Sequence, residues 1–212
     1  MKKHSLWLAS GLMLGLSACY FPISSGKRTM VEHTVNPQPI QAYQITMTLA
    51  DAPGPFAFMQ GLVQYEVINQ ECLSPPEDNP GGANTHLTRF LPFELTRVSD
   101  VQYTGTVYAD GLLDKDYYGR GVCRWQLTRA YVRLKATGAP RETLFSASIP
   151  GEPLLAERTE KVYFIKEAYP RHPESTLDDD LYSGQRDLTK APPQFTEKDF
   201  FTISLASKRS EP

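Results

Sequence analysis

The sequence predicts an all-β fold, an antiparallel sandwich of about eight or nine short strands. Three observations carry that expectation. Apolar and polar residues alternate in run after run between Tyr43 and Ala206, the period-two pattern of strands with one buried face. Gly, Pro, Asn and Asp separate the runs, as turns require. No long segment repeats with helical periodicity, and only Leu154 to Glu160 reads as a helical turn or two.

Ahead of the first strand the chain is of a different kind. Lys2 and Lys3 make a positive start and Ser5 to Leu16 an apolar run, of the length found in secretory leaders and short of the roughly 20 residues a membrane span needs. The run ends on Leu16-Ser17-Ala18-Cys19, which resembles the lipobox of bacterial lipoproteins. The resemblance implies a signal peptide over residues 1–18, cleavage before Cys19, and fatty acyl chains such as palmitate on that residue. At about 0.8 kcal/mol per buried methylene, two or three chains hold a protein durably at a membrane. Tyr20, standing where Asp would retain the protein in the inner membrane, implies the outer membrane, facing the periplasm. Residues 19–42 follow as a lipidated N-terminus and flexible tether, with Ser24-Ser25-Gly26, Pro37 and Pro39 and no apolar periodicity. A single sandwich domain is expected over residues 43–212. A Ser-x-x-Lys spelling at Ser24 to Lys27 has no companion motif and reads as chance.

With Cys19 acylated, the exported chain keeps one cysteine pair, Cys72 and Cys123, in an oxidising compartment, and a disulfide between them is expected. Zinc would need four clustered ligands, and neither cysteine has a histidine beside it. The whole chain carries a formal charge of −2, and loss of Lys2 and Lys3 with the leader makes it more acidic. With no basic run interleaved with aromatics, nucleic acid is not an expected partner.

Ile45, Met47 and Leu49 alternate with Gln44, Thr46 and Thr48; Val63, Tyr65 and Val67 with Gln64 and Glu66; Leu91, Phe93 and Leu95 with Pro92, Glu94 and Thr96. Pro92 places the third run at a sheet edge or strand start. Ser99-Asp100 and the run from Gln102 make residues 90–109 read as a hairpin. Along Cys123 to Leu134 the buried parity changes: Cys123, Trp125 and Leu127 share one face, Ala130, Val132 and Leu134 the other. A strand inverts its buried face only at a bulge, a corner or a change of sheet, here near Thr128-Arg129. Thr143 to Ile149, Lys161 to Lys166 and Phe200 to Ala206 complete the set, the last with Phe201, Ile203 and Leu205 inward.

Three connections carry unusual chemistry. Leu73 to His86, rich in Pro and Gly and bearing Glu77 and Asp78, follows Cys72 directly. Asp110 to Gly121 opens like a calcium loop with Asp114, Asp116 and Gly119, but Tyr118 and Trp125 stand where oxygen ligands belong. What remains in it is Leu112, Leu113, Tyr117, Tyr118 and Arg120, and Tyr and Arg dominate binding hot spots. The third carries Asp178, Asp179 and Asp180 near His172 and Arg186, which read as solvated surface. The two loops pinned by the disulfide are the candidate partner-binding surface.

No Gly-x-Ser-x-Gly elbow, phosphate-cradling glycine loop or His-Glu-x-x-His motif occurs, so catalytic residues, a metal and a cofactor are not expected, and a binding module is. The stretches GLVQYEVINQECL and PFELTRVSDVQYTGTVYADGLLDKDYYGRGVCRWQL resemble small bacterial lipoproteins found among immunity proteins for periplasm-acting toxins, including type VI secretion lipase effectors. That resemblance, over about residues 60–137, implies a protein that binds an incoming toxin in the periplasm and blocks it. The alternative of a different class is a structural or assembly lipoprotein that binds a resident envelope partner.

Overall fold

A computed structural model of the protein describes residues 32–73, 87–172, 175–177 and 180–211. The leader, Cys19, the first part of the tether, Glu77, Asp78, Asp178 and Asp179 lie outside the described residues. The strands are β1 (Ala42–Ala50), β2 (Phe58–Val67), β3 (Thr88–Phe93), β4 (Thr96–Arg97), β5 (Gln102–Tyr108), β6 (Trp125–Lys135), β7 (Thr143–Pro150), β8 (Thr159–Ile165), β9 (Asp180–Tyr182) and β10 (Phe200–Arg209). They form two five-stranded sheets, ordered β4-β5-β1-β10-β8 and β3-β2-β6-β7-β9. This is a β-sandwich.

Alternation builds the core as expected. Ile45, Met47, Phe201, Ile203 and Leu205 face inward from the first sheet, and Val63, Tyr65, Leu127, Ala130, Val132 and Leu134 from the second; all are nearly fully buried. At one end Phe145 meets the rings of Phe56, Phe164 and Phe201 at centroid distances of 5.7, 5.6 and 5.2 Å. Such edge-on pairs contribute about 0.5–1.5 kcal/mol each beyond their buried area. A smaller cluster at the opposite end of β1 holds Val67, Cys72 and Cys123, packed against Leu73, Leu87, Tyr117, Tyr118 and Trp125. Cys72 and Cys123 are disulfide-bonded.

The parity change in β6 is a bulge. Gln64 pairs with Arg129 and the next residue, Tyr65, with Leu127, leaving Thr128 as the extra residue. The helix α1 (Gly151–Leu155) packs here, and a Cβ on Gly151 would overlap the Leu127 carbonyl and Thr128. The helical turn thus begins before the Leu154–Glu160 stretch, because Thr159 already opens β8.

Three further expectations need correction. Residues 90–109 are not one hairpin: β3 pairs with β2 at the edge of the second sheet, and only β4 pairs with β5 in the first. The chain changes sheets at Glu94-Leu95, where Phe93 lies so near β5 that a Cβ on Gly105 would come within 2.8 Å of its ring. The sandwich is not wholly antiparallel either, since β9 runs parallel to β7 from Thr143↔Asp180 to Phe145↔Tyr182. Finally, the tether does not reach residue 42. Val35 bridges Leu112, the Asn36 N–H donates to the Gly111 carbonyl, and the Leu113 N–H donates to the Thr34 carbonyl. Polar capping rather than apolar alternation holds this segment: the Asp110 carboxylate accepts the N–H groups of Ile40 and Gln41 at 2.9 and 3.0 Å.

Candidate functional site

The disulfide end of the sandwich gathers the residues singled out in the β5–β6 connection, and its acids explain its shape. Asp114 accepts the Trp125 N–H at 2.8 Å. Asp116 accepts the N–H groups of Tyr118, Arg120 and Gly121 at 3.1–3.2 Å. Desolvation raises the Asp116 carboxyl, but the backbone N–H groups of Gly121, Arg120, Tyr118 and Gly119 together outweigh it and hold the group below its ordinary range. The calcium-like spelling therefore encodes a loop that caps itself. Lys115 and Cys123 close its neck with reciprocal backbone hydrogen bonds.

Within that frame the two tyrosines turn inward. The Tyr117 hydroxyl donates to the Leu113 carbonyl at 2.6 Å and accepts the Thr34 N–H at 3.2 Å. The Tyr118 hydroxyl lies 3.1 Å from His33 Nε2, while Arg89 Nε donates to His33 Nδ1 at 2.6 Å. A donor on Nδ1 assigns the imidazole proton to Nε2, which donates to Tyr118. Burial first, and then the Arg89 charge, push the His33 pKa down. Burial pushes the Tyr118 hydroxyl up. The imidazole also meets the Tyr117 and Trp125 rings edge-on, 4.9 and 5.1 Å between centroids.

The predicted contact residues accordingly separate. Leu112 is 5% exposed and belongs to the core, so it is not a surface residue. Leu113, Tyr117 and Tyr118 are half-buried and engaged within the chain. Arg120 is exposed, and beside it stand Val122 and Ile68, 50% and 58% exposed. Asn69 braces this tip by donating to the Val122 carbonyl at 2.8 Å and accepting the Arg124 N–H at 2.7 Å. His33 and Arg89 escaped the sequence reading because a histidine in a polar, proline-containing segment carries no sign of docking against residues more than fifty positions away.

No family model, curated protein or solved structure matches this chain. At this end of the sandwich both His33 nitrogens are engaged and Cys72 and Cys123 are joined as a disulfide. Among the described residues, no group of three or more His, Cys, Asp or Glu is placed to hold a metal ion. Beside the loop a cleft of about 380 Å³ is lined by Asn36, Asp110, Leu113, Asp114, Trp125 and Leu155. Trp125 Nε1 is buried with no acceptor. The geometry suits holding a surface rigid.

Proposed function

We propose that the protein is a membrane-anchored periplasmic binding lipoprotein, an immunity protein that binds and neutralises a periplasm-acting secreted toxin such as a type VI lipase effector. The observation that carries the binding role is the braced tip: Arg120 and Val122 stand exposed on a loop fixed by Cys72–Cys123, Asn69 and Asp116, and Ile68, just past β2, is exposed where its N–H meets the Arg124 carbonyl. Apolar and arginine side chains on a frame that is already ordered bind with little further loss of conformational freedom. The lipobox-like Leu16 to Cys19 supplies the anchor in this reading, which raises local concentration where an envelope toxin works.

The test is protection in living cells. Candidate effectors, taken first from adjoining genes, are directed to the periplasm with and without the full chain, and growth is followed. Wild type should protect, Cys19→Ala should protect less, and Val122→Asp with Arg120→Glu should lose protection while the purified protein keeps its urea midpoint. A chain that protects against no effector and co-purifies only with resident envelope assemblies would favour the structural or assembly alternative.

A further inference from the structure

The outer face of the second sheet carries chemistry that the disulfide end does not. Beyond the Thr128 bulge, Arg129, Tyr131 and Arg133 point away from the core, because Ala130, Val132 and Leu134 point into it. The two guanidinium carbons lie 5.9 and 5.8 Å from the Tyr131 ring centroid. Tyr131 is fixed in turn, since its hydroxyl donates to Gln64 Oε1 at 2.6 Å. Across β2 the row continues to Pro92 and Phe90 on β3, Leu62 pairing with Pro92 and Gln64 with Phe90. Phe90 is 48% exposed and its ring centroid is 6.2 Å from that of Tyr131.

The charge around Tyr131 is one-sided. Arg129 and Arg133 flank it on β6, and Glu66 is the one acid in β2, β3, β6 and β7; Asp180 stands on β9 at the far edge of the sheet, and Arg89 is turned to His33. Arg186, by contrast, has its carboxylate, Glu160, at 3.1 Å. Neither Arg129 nor Arg133 forms an ion pair among the described residues; Arg129 donates only to the Ser148 hydroxyl, at 3.3 Å. Arg133 Nε is buried and has no acceptor. Nε has no surface to offer, so a partner's carboxylate would be met through the Nη groups of two guanidiniums that have no ion pair among the described residues.

We propose that this face docks an acidic protein surface, Arg129 and Arg133 engaging carboxylates on either side of Tyr131 while Phe90, Leu62 and Pro92 cover its apolar part. The inference rests on the binding role proposed above and extends its surface: the outward positions of β2, Leu62, Gln64 and Glu66, lead in sequence to Ile68 at the braced tip. An anionic lipid surface is the less suitable occupant. The charges are arginines spread over an aromatic ring on a pleated sheet, the composition of a protein interface centre, rather than lysines projecting from an amphipathic edge.

The test uses the full chain and three probes: a peptide of Glu-Tyr-Glu-Leu repeats, the same peptide with Gln for Glu, and phosphatidylglycerol vesicles. The acidic peptide should bind saturably, more weakly as salt rises, and the Gln peptide at least about tenfold less well. Arg129→Gln with Arg133→Gln should weaken acidic-peptide binding about tenfold or more, whereas Lys208→Gln with Arg209→Gln, the same charge change on the other sheet, should not. Circular dichroism and the urea midpoint establish that each variant is folded. Equal binding by both double variants, no binding of the acidic peptide, or vesicle binding abolished by the arginine pair in place of peptide binding would each overturn the assignment. Protection is read in parallel. Peptide binding without protection against any effector defeats the immunity reading and leaves this face standing; full protection by the arginine variant does the reverse.

Discussion

Replacing Cys72 and Cys123 together with Ala should destabilise the whole sandwich, not only the end where they lie. The bond joins residues 51 apart in sequence, and the segment it closes contains β3 in one sheet and β4 and β5 in the other. Releasing it restores to the unfolded chain an entropy of about 4 kcal/mol at 25 °C for a loop of this length. With a urea dependence of about 2 kcal/mol per molar, the midpoint falls by about 2 M. The assay follows circular dichroism of the sheets and fluorescence of Trp125, which packs against the pair. Both signals should move together to lower urea. If Trp125 shifted early while the sheet transition stayed within about 0.5 M of the parent, the bond would brace only its own loop and the chain-entropy argument would be wrong.

Other outcomes follow from single contacts. His33 has a folded pKa below its ordinary value, so the unfolded state takes up a proton first; stability should be complete above about pH 6.5 and decline as pH falls from there towards the folded pKa. His33→Gln should flatten that slope in urea titrations between pH 5 and 8, and an unchanged slope would show that His33 is not its source. Phe201→Ala, at a fully buried ring in contact with Phe56, Phe145 and Phe164, should cost about 3–5 kcal/mol by denaturant melts. Ser207→Ala removes a buried hydroxyl that donates to the Leu154 carbonyl at 2.7 Å; a loss of about 1 kcal/mol is expected, with earlier amide exchange in α1.

The strand phases were legible because alternation records which face is buried. Ile45 to Leu49, Phe201 to Leu205 and the inversion at Thr128 all stand in the sequence as parity. Parity runs on uninterrupted through Leu91, Phe93 and Leu95, so nothing there marks the passage from one sheet to the other, and β9 is too short to show a period at all. Docking of His33 to Asn36 relies on isolated backbone bonds and polar caps, which a proline-containing composition disguises. Tyr117 and Tyr118 looked like contact residues by type, but type does not say which way a loop tyrosine turns. Arg129, Tyr131 and Arg133 were readable by the same parity that placed their neighbours in the core, once the outward positions are examined for charge.

The bulge at Thr128 makes β6 a sentence written in two reading frames. Leu127 before the bulge and Ala130, Val132 and Leu134 after it fill the same core from opposite parities, Trp125 reaches both that core and the disulfide cluster, and a single residue converts one parity into the other. Deleting Thr128 would leave every apolar residue in the chain, yet either Trp125 and Leu127 or Ala130, Val132 and Leu134 would have to face solvent. Arg129, Tyr131 and Arg133 would be forced inward in the second case. Because Gly151 rests directly on the bulge, the helix that follows β7 also depends on that frame. Length changes in the turn between β6 and β7 alter a surface loop; the same change at Thr128 inverts half a strand.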